Sequence, residues 1–337
     1  MTPPSPARLL EIAAGYQRAK VLFALVELGI PTLLARGPRT AGEIAAEARL
    51  DPVAADRFLS AGVALGILVR DGGRYANAPD AQHYLVYGAE TDLSAYLRWQ
   101  NEICYPAWLG FSERLREWQP GCPKADAQRS TANEAAAYAA FARAHHSLAL
   151  LLGEAMCGAV DLSEHQNLLD LGGGSGAASI ALCRRHPGLR ATVLERPEIA
   201  AVAREFVAEN GLADRIDVRE ADYVREPLPS GFDAALLSNL MSLSSPDQNR
   251  ALLRRVYEAL PVGGIVILCG WILDDDRDVS LLRTLFCLDD IRWGSPDVER
   301  CAETYSGWLR DAGFTGIRRS ALLEPASVMI GRKIENR

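Results

Sequence analysis

Three carboxylates stand at the ends of short apolar runs in the second half of this 337-residue chain: Asp170 in "NLLDLGGGSG", Glu195 in "ATVLE" and Asp222 in "IDVREAD". Gly172, Gly174 and Gly176 follow the first. That spacing lets backbone pass close to a ligand at a helix N-terminus. Gly172, Gly174 and Ala177 also satisfy the dinucleotide pattern G-x-G-x-x-G/A. A carboxylate two residues before the first glycine is awkward beside a pyrophosphate, but it suits a ligand with an ammonium or sulfonium charge. Glu195, 23 positions after Gly172, can accept hydrogen bonds from both ribose hydroxyls. Asp222 can accept from an adenine amino group, with Tyr223 against the ring. Each acid alone could be a solvated loop carboxylate; three at successive strand ends describe one nucleoside-bearing ligand.

A fourth apolar run, "FDAALL", delivers the loop "SNLMSLSSPDQN", Ser238 to Asn249, to the same edge. The end of a strand is a usual place for chemistry in an α/β protein. Yet this loop holds no histidine, cysteine or lysine.

The elements that must position these residues alternate from residue 166 onward. Strands "NLLDL", "ATVLE", "IDVREAD", "FDAALLS" and "GGIVILCGW" are interleaved with helical segments such as "SGAASIALCRRHP", "PEIAAVAREFVAEN" and "DQNRALLRRVYEAL". The pattern predicts an α/β, Rossmann-like, doubly wound parallel sheet. The last two runs, "GIRRSALL" and "ASVMIGRK", are joined by only "EP" and must pair antiparallel, because a parallel crossover needs a dozen residues or more. Residues 100–160 read as helical throughout. Before them, "AKVLFALVELGIPTLLA" has helical spacing, Thr40 and Glu43 make a capping-box pattern, and "GILVRDGGRYANA" reads as a hairpin. Helices followed by such a hairpin suggest a winged helix.

Composition excludes several functions. Apolar content of 49% and charged content of 23% suit a globular protein with a full core. A formal net charge of −7 argues against a general nucleic-acid or membrane-surface role. Residues 1–100 hold ten basic and ten acidic side chains, so the winged region lacks the basic face that DNA requires. Its apolar excess fits a dimer interface. The N-terminus does not read as a signal peptide, and no stretch has the length of a membrane span. Seven scattered cysteines without a C-x-x-C pair read as reduced thiols in a cytoplasm, and they predict no metal site.

With these motifs, "VLERPEIA", "EADY", "SNLMSLSSPDQNRALLRRVYEALPVGG" and "ERCAETYSGWLRDAGF", the chain resembles the S-adenosylmethionine-dependent small-molecule methyltransferases of the plant and bacterial O-methyltransferase type. The resemblance covers nearly the whole chain. It implies S-adenosylmethionine as cofactor, a sheet with a reversed seventh strand and an intertwined homodimer. It also implies three regions: a dimerisation domain over 1–100, a helical linker lining the substrate pocket over 101–160, and a catalytic domain over 161–337. Asp170, Gly172, Gly174, Gly176, Glu195, Arg196, Asp222, Tyr223, Ser238 and Asn239 fall where the cofactor would bind.

The family pattern fails where the acceptor is deprotonated. The histidine expected after the fourth strand is Ser242, and no histidine occurs after His186. A family acid at the end of the fifth strand falls on Gly270, beside Trp271. Only Glu299, in "VERCAET", is retained. His145 and His146 on the linker helix are the candidate substitutes; Asp289 and Asp290, with Arg292, are candidates for orienting substrate. Tyr105, Trp108, Ser242 and Trp271 are further candidates for the pocket.

A thioether has no proton to lose, so the missing base favours S-methylation of a small thioether or thiol acid, as in the methyltransferases of dimethylsulfoniopropionate synthesis. Methylation of carbon or oxygen in a secondary metabolite is the alternative. A relative that holds the cofactor for other chemistry and a non-catalytic dimeric binding protein stay open. An NAD-dependent oxidoreductase is disfavoured by Asp170 and by the domain order.

Overall fold

The computed structural model describes residues 5–119, 131–273, 280–293 and 301–335, without the side chains of residues 131–134, 290, 292 and 293. Glu299 therefore lies outside the described residues, as do the side chains of Asp290 and Arg292. The chain divides into two compact units, Met1–Pro106 and Ala107–Arg337. Among the described residues no helix is long and apolar enough to cross a membrane.

In the first unit, the helical spacing of "AKVLFALVELGIPTLLA" resolves into two helices, Gly15–Glu27 and Ile30–Leu34. Gly29 between them takes the left-handed conformation (φ 66°), and Pro31 has no amide with which to continue the first helix. Thr40 and Glu43 form the expected capping box. Leu68–Asp71 and Arg74–Asn77 pair as the expected hairpin, and Arg39–Thr40 adds a third strand. Gly72 and Gly73 both have positive φ, the geometry of a two-residue turn that only small residues enter easily. Leu25, Ile30, Ile44, Leu59, Leu68 and Tyr75 fill the core. On the helix Ala7–Ala13, Leu9, Leu10 and Ile12 are exposed.

The run "YLRWQNEICYPAWLGFSERLREW" is not one helix. Ser94–Trp99 passes into a π turn at Gln100–Cys104 and a 3₁₀ turn at Trp108–Gly110. Pro106, which cannot donate, sits between the two.

The second unit is built on seven strands: β1 (Asn167–Leu171), β2 (Arg190–Glu195), β3 (Ile216–Glu220), β4 (Ala234–Ser238), β5 (Ile265–Gly270), β6 (Thr315–Ala321) and β7 (Ser327–Arg332). Their order is β3-β2-β1-β4-β5-β7-β6. The first five pair parallel; β7 runs antiparallel to both neighbours, as its short link to β6 requires. Helices α1 (Thr131–Ala159), α2 (Ala177–Arg185), α3 (Pro197–Glu209), α4 (Pro246–Ala259), α5 (Leu281–Trp293) and α6 (Ala302–Asp311) complete it.

Strand alternation divides the core. Leu168, Val193, Leu236 and Ile267 face a cluster with α2 and α3 residues, whereas Leu169, Leu194, Leu237 and Leu268 face one with α4 and α6 residues. Burial on both faces is what a parallel sheet covered by helices demands. The same alternation puts Asp170 on the α2 side. All five parallel strands end at one edge, where Asp170, Glu195 and Ser238 lie on the strands and Gly172, Gly174, Gly176, Asp222 and Asn239 on the loops that follow.

Candidate active site

At the end of β1 the chain turns through three left-handed glycines, Gly172 (φ 63°), Gly174 (φ 58°) and Gly176 (φ 74°). A side chain at Gly172 would strike Leu240 and Tyr223, and one at Gly173 would lie 2.6 Å from the Asp170 carboxylate. At Gly174 a side chain would meet nothing within 4 Å. That glycine is required by backbone conformation and borders open space, as a loop close to a ligand should.

Asp170, expected beside a cationic ligand, lies under the glycine loop. It is fully buried beneath Gly173, and its Oδ2 accepts from Ser179 Oγ at 2.6 Å. Its Oδ1 is buried without a hydrogen-bond partner among the described residues. Burial first, then the nearby Glu195 charge, push its pKa up to about 7, against the lowering effect of Ser179. A cationic ligand above this loop would favour the ionised form.

Glu195, at the end of β2, is 4% exposed. Its Oε2 accepts from the Gly174 amide at 3.1 Å and its Oε1 from the Arg196 amide at 2.8 Å. Burial raises its pKa, and these two amides oppose the shift. A carboxylate has about four acceptor positions. Two backbone donors therefore fix Glu195 and leave capacity for two ribose hydroxyls. Arg196 lies 3.9 Å over the Tyr138 ring.

Asp222 is the more exposed acid. Its Oδ1 accepts from the Val224 and Arg225 amides, both at 3.2 Å, and its side chain is 44% exposed. The neighbouring Tyr223 folds over Gly172, and burial raises its phenol above the ordinary range. Glycine loop, Glu195, Asp222 and Tyr223 thus line consecutive strand ends, with donors and acceptors that fit an adenosyl group bearing a sulfonium.

The end of β4 is built differently. Ser238 hydrogen-bonds Cys269 on β5, whose thiol burial pushes up to about 12. Asn239 is left-handed (φ 51°), and its amide donates to Cys269 O. The loop then forms a 3₁₀ turn, Met241–Leu243, before Ser245 and Gln248 cap α4 with a second capping box. Asn249 on α4 holds the turn, its Nδ2 donating to Met241 O at 2.7 Å and to Ser244 O at 3.3 Å. Asn249 is not marked by any motif in the sequence. Its signal is a polar residue on the α4 face that buries Leu252, Leu253 and Val256.

Ser242 and Gly270, which replace the expected base and acid, line a cavity of about 20 Å³ together with Asn239, Trp271 and Tyr305. That is room for about one water molecule. A side chain at Gly270 would approach Asn239 Oδ1 to 3.2 Å, so the glycine matches the unusual Asn239 conformation.

The two histidines expected to substitute as base are engaged elsewhere. His145 stacks on Phe141 at 3.9 Å, with Nδ1 at 2.9 Å from Phe141 O. His146 is buried, parallel to Phe206 at 3.6 Å, with Nδ1 at 2.9 Å from Ser175 Oγ. Burial lowers both pKa values to about 4. A phenol has a pKa of about 10, so neither imidazole is matched to removing its proton. His146, a candidate base from the sequence, thus contacts Ser175 of the glycine loop. Trp108 packs on Phe111 and Trp271 on Phe286 of α5. Asp289 is half-buried on α5. Tyr105 belongs to the first unit, where it meets Phe23 edge-on and lies under Lys20.

Residues 113–315 match the O-methyltransferase domain and residues 10–87 the O-methyltransferase dimerisation domain. Among curated proteins, the chain is similar to 3-hydroxy-5-methyl-1-naphthoate 3-O-methyltransferase of Streptomyces sahachiroi, at 34% identity over 97% of this chain and 95% of that one. It is also similar to the L-tyrosine C(3)-methyltransferase of Streptomyces lavendulae, at 30% identity over 90% and 85%, and to the N,N-dimethyltransferase OxyT of Streptomyces rimosus, at 34% identity over 93% and 92%. Human N-acetylserotonin methyltransferase, solved in complex with S-adenosylmethionine, superposes with a TM-score of 0.86 at 26% identity, over 99% of each chain.

Proposed function

The chain belongs to the S-adenosylmethionine-dependent O-methyltransferase family, and from that premise we propose that it methylates an oxygen, nitrogen or carbon nucleophile of a small secondary metabolite that reaches the site already unprotonated. The observation carrying this reading is the pair Ser242 and Gly270 around a cavity with room for about one water. The cofactor supplies a methyl group already activated by its positive sulfur. Glu195 and Asp222 would hold the ribose and adenine, and the glycine loop the amino-acid end. Asn239, Ser242 and Trp271 would border the acceptor. General-base catalysis contributes ~10²–10⁴-fold, whereas alignment supplies ~7–11 kcal/mol. An acceptor with a free lone pair therefore needs position and exclusion of water more than it needs a base. Asp289 is a candidate for orienting it.

The expectation of a thioether acceptor gives way here to its alternative. The relatives above are named for transfer to oxygen, nitrogen and carbon, and none of the three is a methyltransferase of dimethylsulfoniopropionate synthesis. A panel of hydroxynaphthoates, arylamines, electron-rich aromatic carbons and thioethers, assayed for S-adenosylhomocysteine release, tests the proposal. Turnover of arylamines, aromatic carbons or acceptors whose oxygen is ionised at the assay pH is expected; turnover confined to thioethers, or to phenols protonated at that pH, refutes it.

We further propose a homodimer through the first unit, using the exposed apolar face of the helix Ala7–Ala13. Sedimentation should give a dimer for the wild type and a monomer for a Leu9→Ser, Leu10→Ser, Ile12→Ser variant. A variant that remains dimeric argues against this face.

A further inference from the structure

Helix α1 touches both loops on which cofactor binding depends. Tyr138 lies under the guanidinium of Arg196, the residue after Glu195. About two turns later, His146 reaches Ser175, which sits between Gly174 and Gly176. Between these contacts α1 is fastened along α3, the helix that begins directly after Arg196. Ala142 packs with Ile199 and Val202, and Arg143 forks onto Glu205 at 2.6 and 2.5 Å. Such bidentate pairs fix geometry as well as adding attraction.

His146 is the innermost of these contacts. Its ring is parallel to Phe206, with an interplanar angle of 5°, and only 8% of the residue is exposed. Burial, and then the charge of Arg184, keep it neutral. A neutral imidazole can donate to or accept from a hydroxyl at Nδ1, and either role stops Ser175 from rotating. Ser175 adjoins Gly174, whose amide holds Glu195. A shift of Ser175 would thus displace both the loop and the acid.

We infer that His146 is a positioning residue for the cofactor loop: through Ser175 it sets the geometry in which Gly174 and Glu195 meet their ligand, so that α1 acts as a splint across the ends of β1 and β2. This rests on reading residues 172–176 and Glu195 as cofactor ligands. A histidine that only fills the core would change stability and leave the affinity of folded protein untouched.

Calorimetric titration of the full-length protein with S-adenosylhomocysteine separates these cases. His146→Leu and Ser175→Ala should each weaken binding about tenfold, the loss expected for one buried hydrogen bond. The double variant should be no worse than the weaker single, because both remove the same contact. His146→Asn, whose amide reaches from nearly the position of Nδ1, should recover affinity to within about threefold. Ser175→Ala removes one oxygen and carries the test if His146→Leu does not fold. Wild-type affinity in both single variants, while Glu195→Ala loses binding, overturns the inference alone; so do single losses that add to about a hundredfold. Undiminished binding by Glu195→Ala overturns the cofactor assignment, and the inference falls with it.

Discussion

The ends of β1 and β2 carry acids that are buried and tied down, Asp170 by Ser179 and Glu195 by two backbone amides. The ends of β4 and β5, on the same edge of the same sheet, carry Ser242 and Gly270 around a small void. The first region suits the fixed, charged ligand proposed for it, because oriented donors and acceptors need not reorganise when it arrives. The second places a serine and a glycine among larger neighbours, Met241, Trp271 and Tyr305, around room for about one water. On the proposed reading, one sheet edge combines a cofactor half with an acceptor half in which the expected titrating groups are replaced, and that contrast can be tested at each side.

The largest effect is expected at Glu195. Replacing it by Ala removes charge-assisted hydrogen bonds to the ligand and leaves the Gly174 and Arg196 amides without their acceptor. S-adenosylhomocysteine affinity should fall roughly 100-fold by calorimetry. Retained affinity would erase the contrast between the two halves.

At the end of β4 the loop is held by Asn249. Asn249→Ala should lower unfolding stability by about 2 kcal/mol in a urea titration, since it strands the buried carbonyl of Met241. Its effect on S-adenosylhomocysteine affinity should stay below threefold. A large effect on cofactor binding would show that the halves are mechanically one.

The third prediction concerns pH. The folded pKa of His146 is depressed from 6.5 to about 4. The unfolded chain therefore binds more proton within that window, and stability falls as pH drops through it. Relative to His146→Leu, the wild type should lose up to about 2 kcal/mol between pH 7 and pH 5. Asp170, with its raised pKa, acts in the opposite sense and is common to both proteins. An unchanged difference between the two proteins across this range would mean that the imidazole is solvated.

The smallest effect is expected from returning a base to the acceptor half. Ser242→His should raise turnover of a simple phenol about tenfold, at the low end of general-base catalysis. Turnover of an arylamine or a carbon nucleophile should change less than threefold. Equal gains on all acceptors would show that proton removal limits every one of them.

Much of this protein is determined by its sequence alone. Short apolar runs alternating with helical segments, the spacing of Gly172, Gly174 and Gly176, and acids at 170, 195 and 222 are local features, and they announce the seven strands and the edge proposed for the cofactor. The short link between β6 and β7, far below the dozen residues of a parallel crossover, likewise leaves only an antiparallel pairing. Local chemistry also accounts for what it does not do: with Ser at 242 and Gly at 270, no arrangement of that loop supplies the family's base. Tertiary structure decided which way the helical residues face. His146 looks like a free base in "ARAHHSL", yet packing of α1 on α3 turns it toward Ser175. Asp170 looks like an open ligand, yet strand alternation places it under Gly173. Asn249 reads as an ordinary polar residue until the fold puts it beneath the loop. These roles depend on contacts between residues 8 to 29 positions apart, brought together by a packed interior that no window of sequence contains.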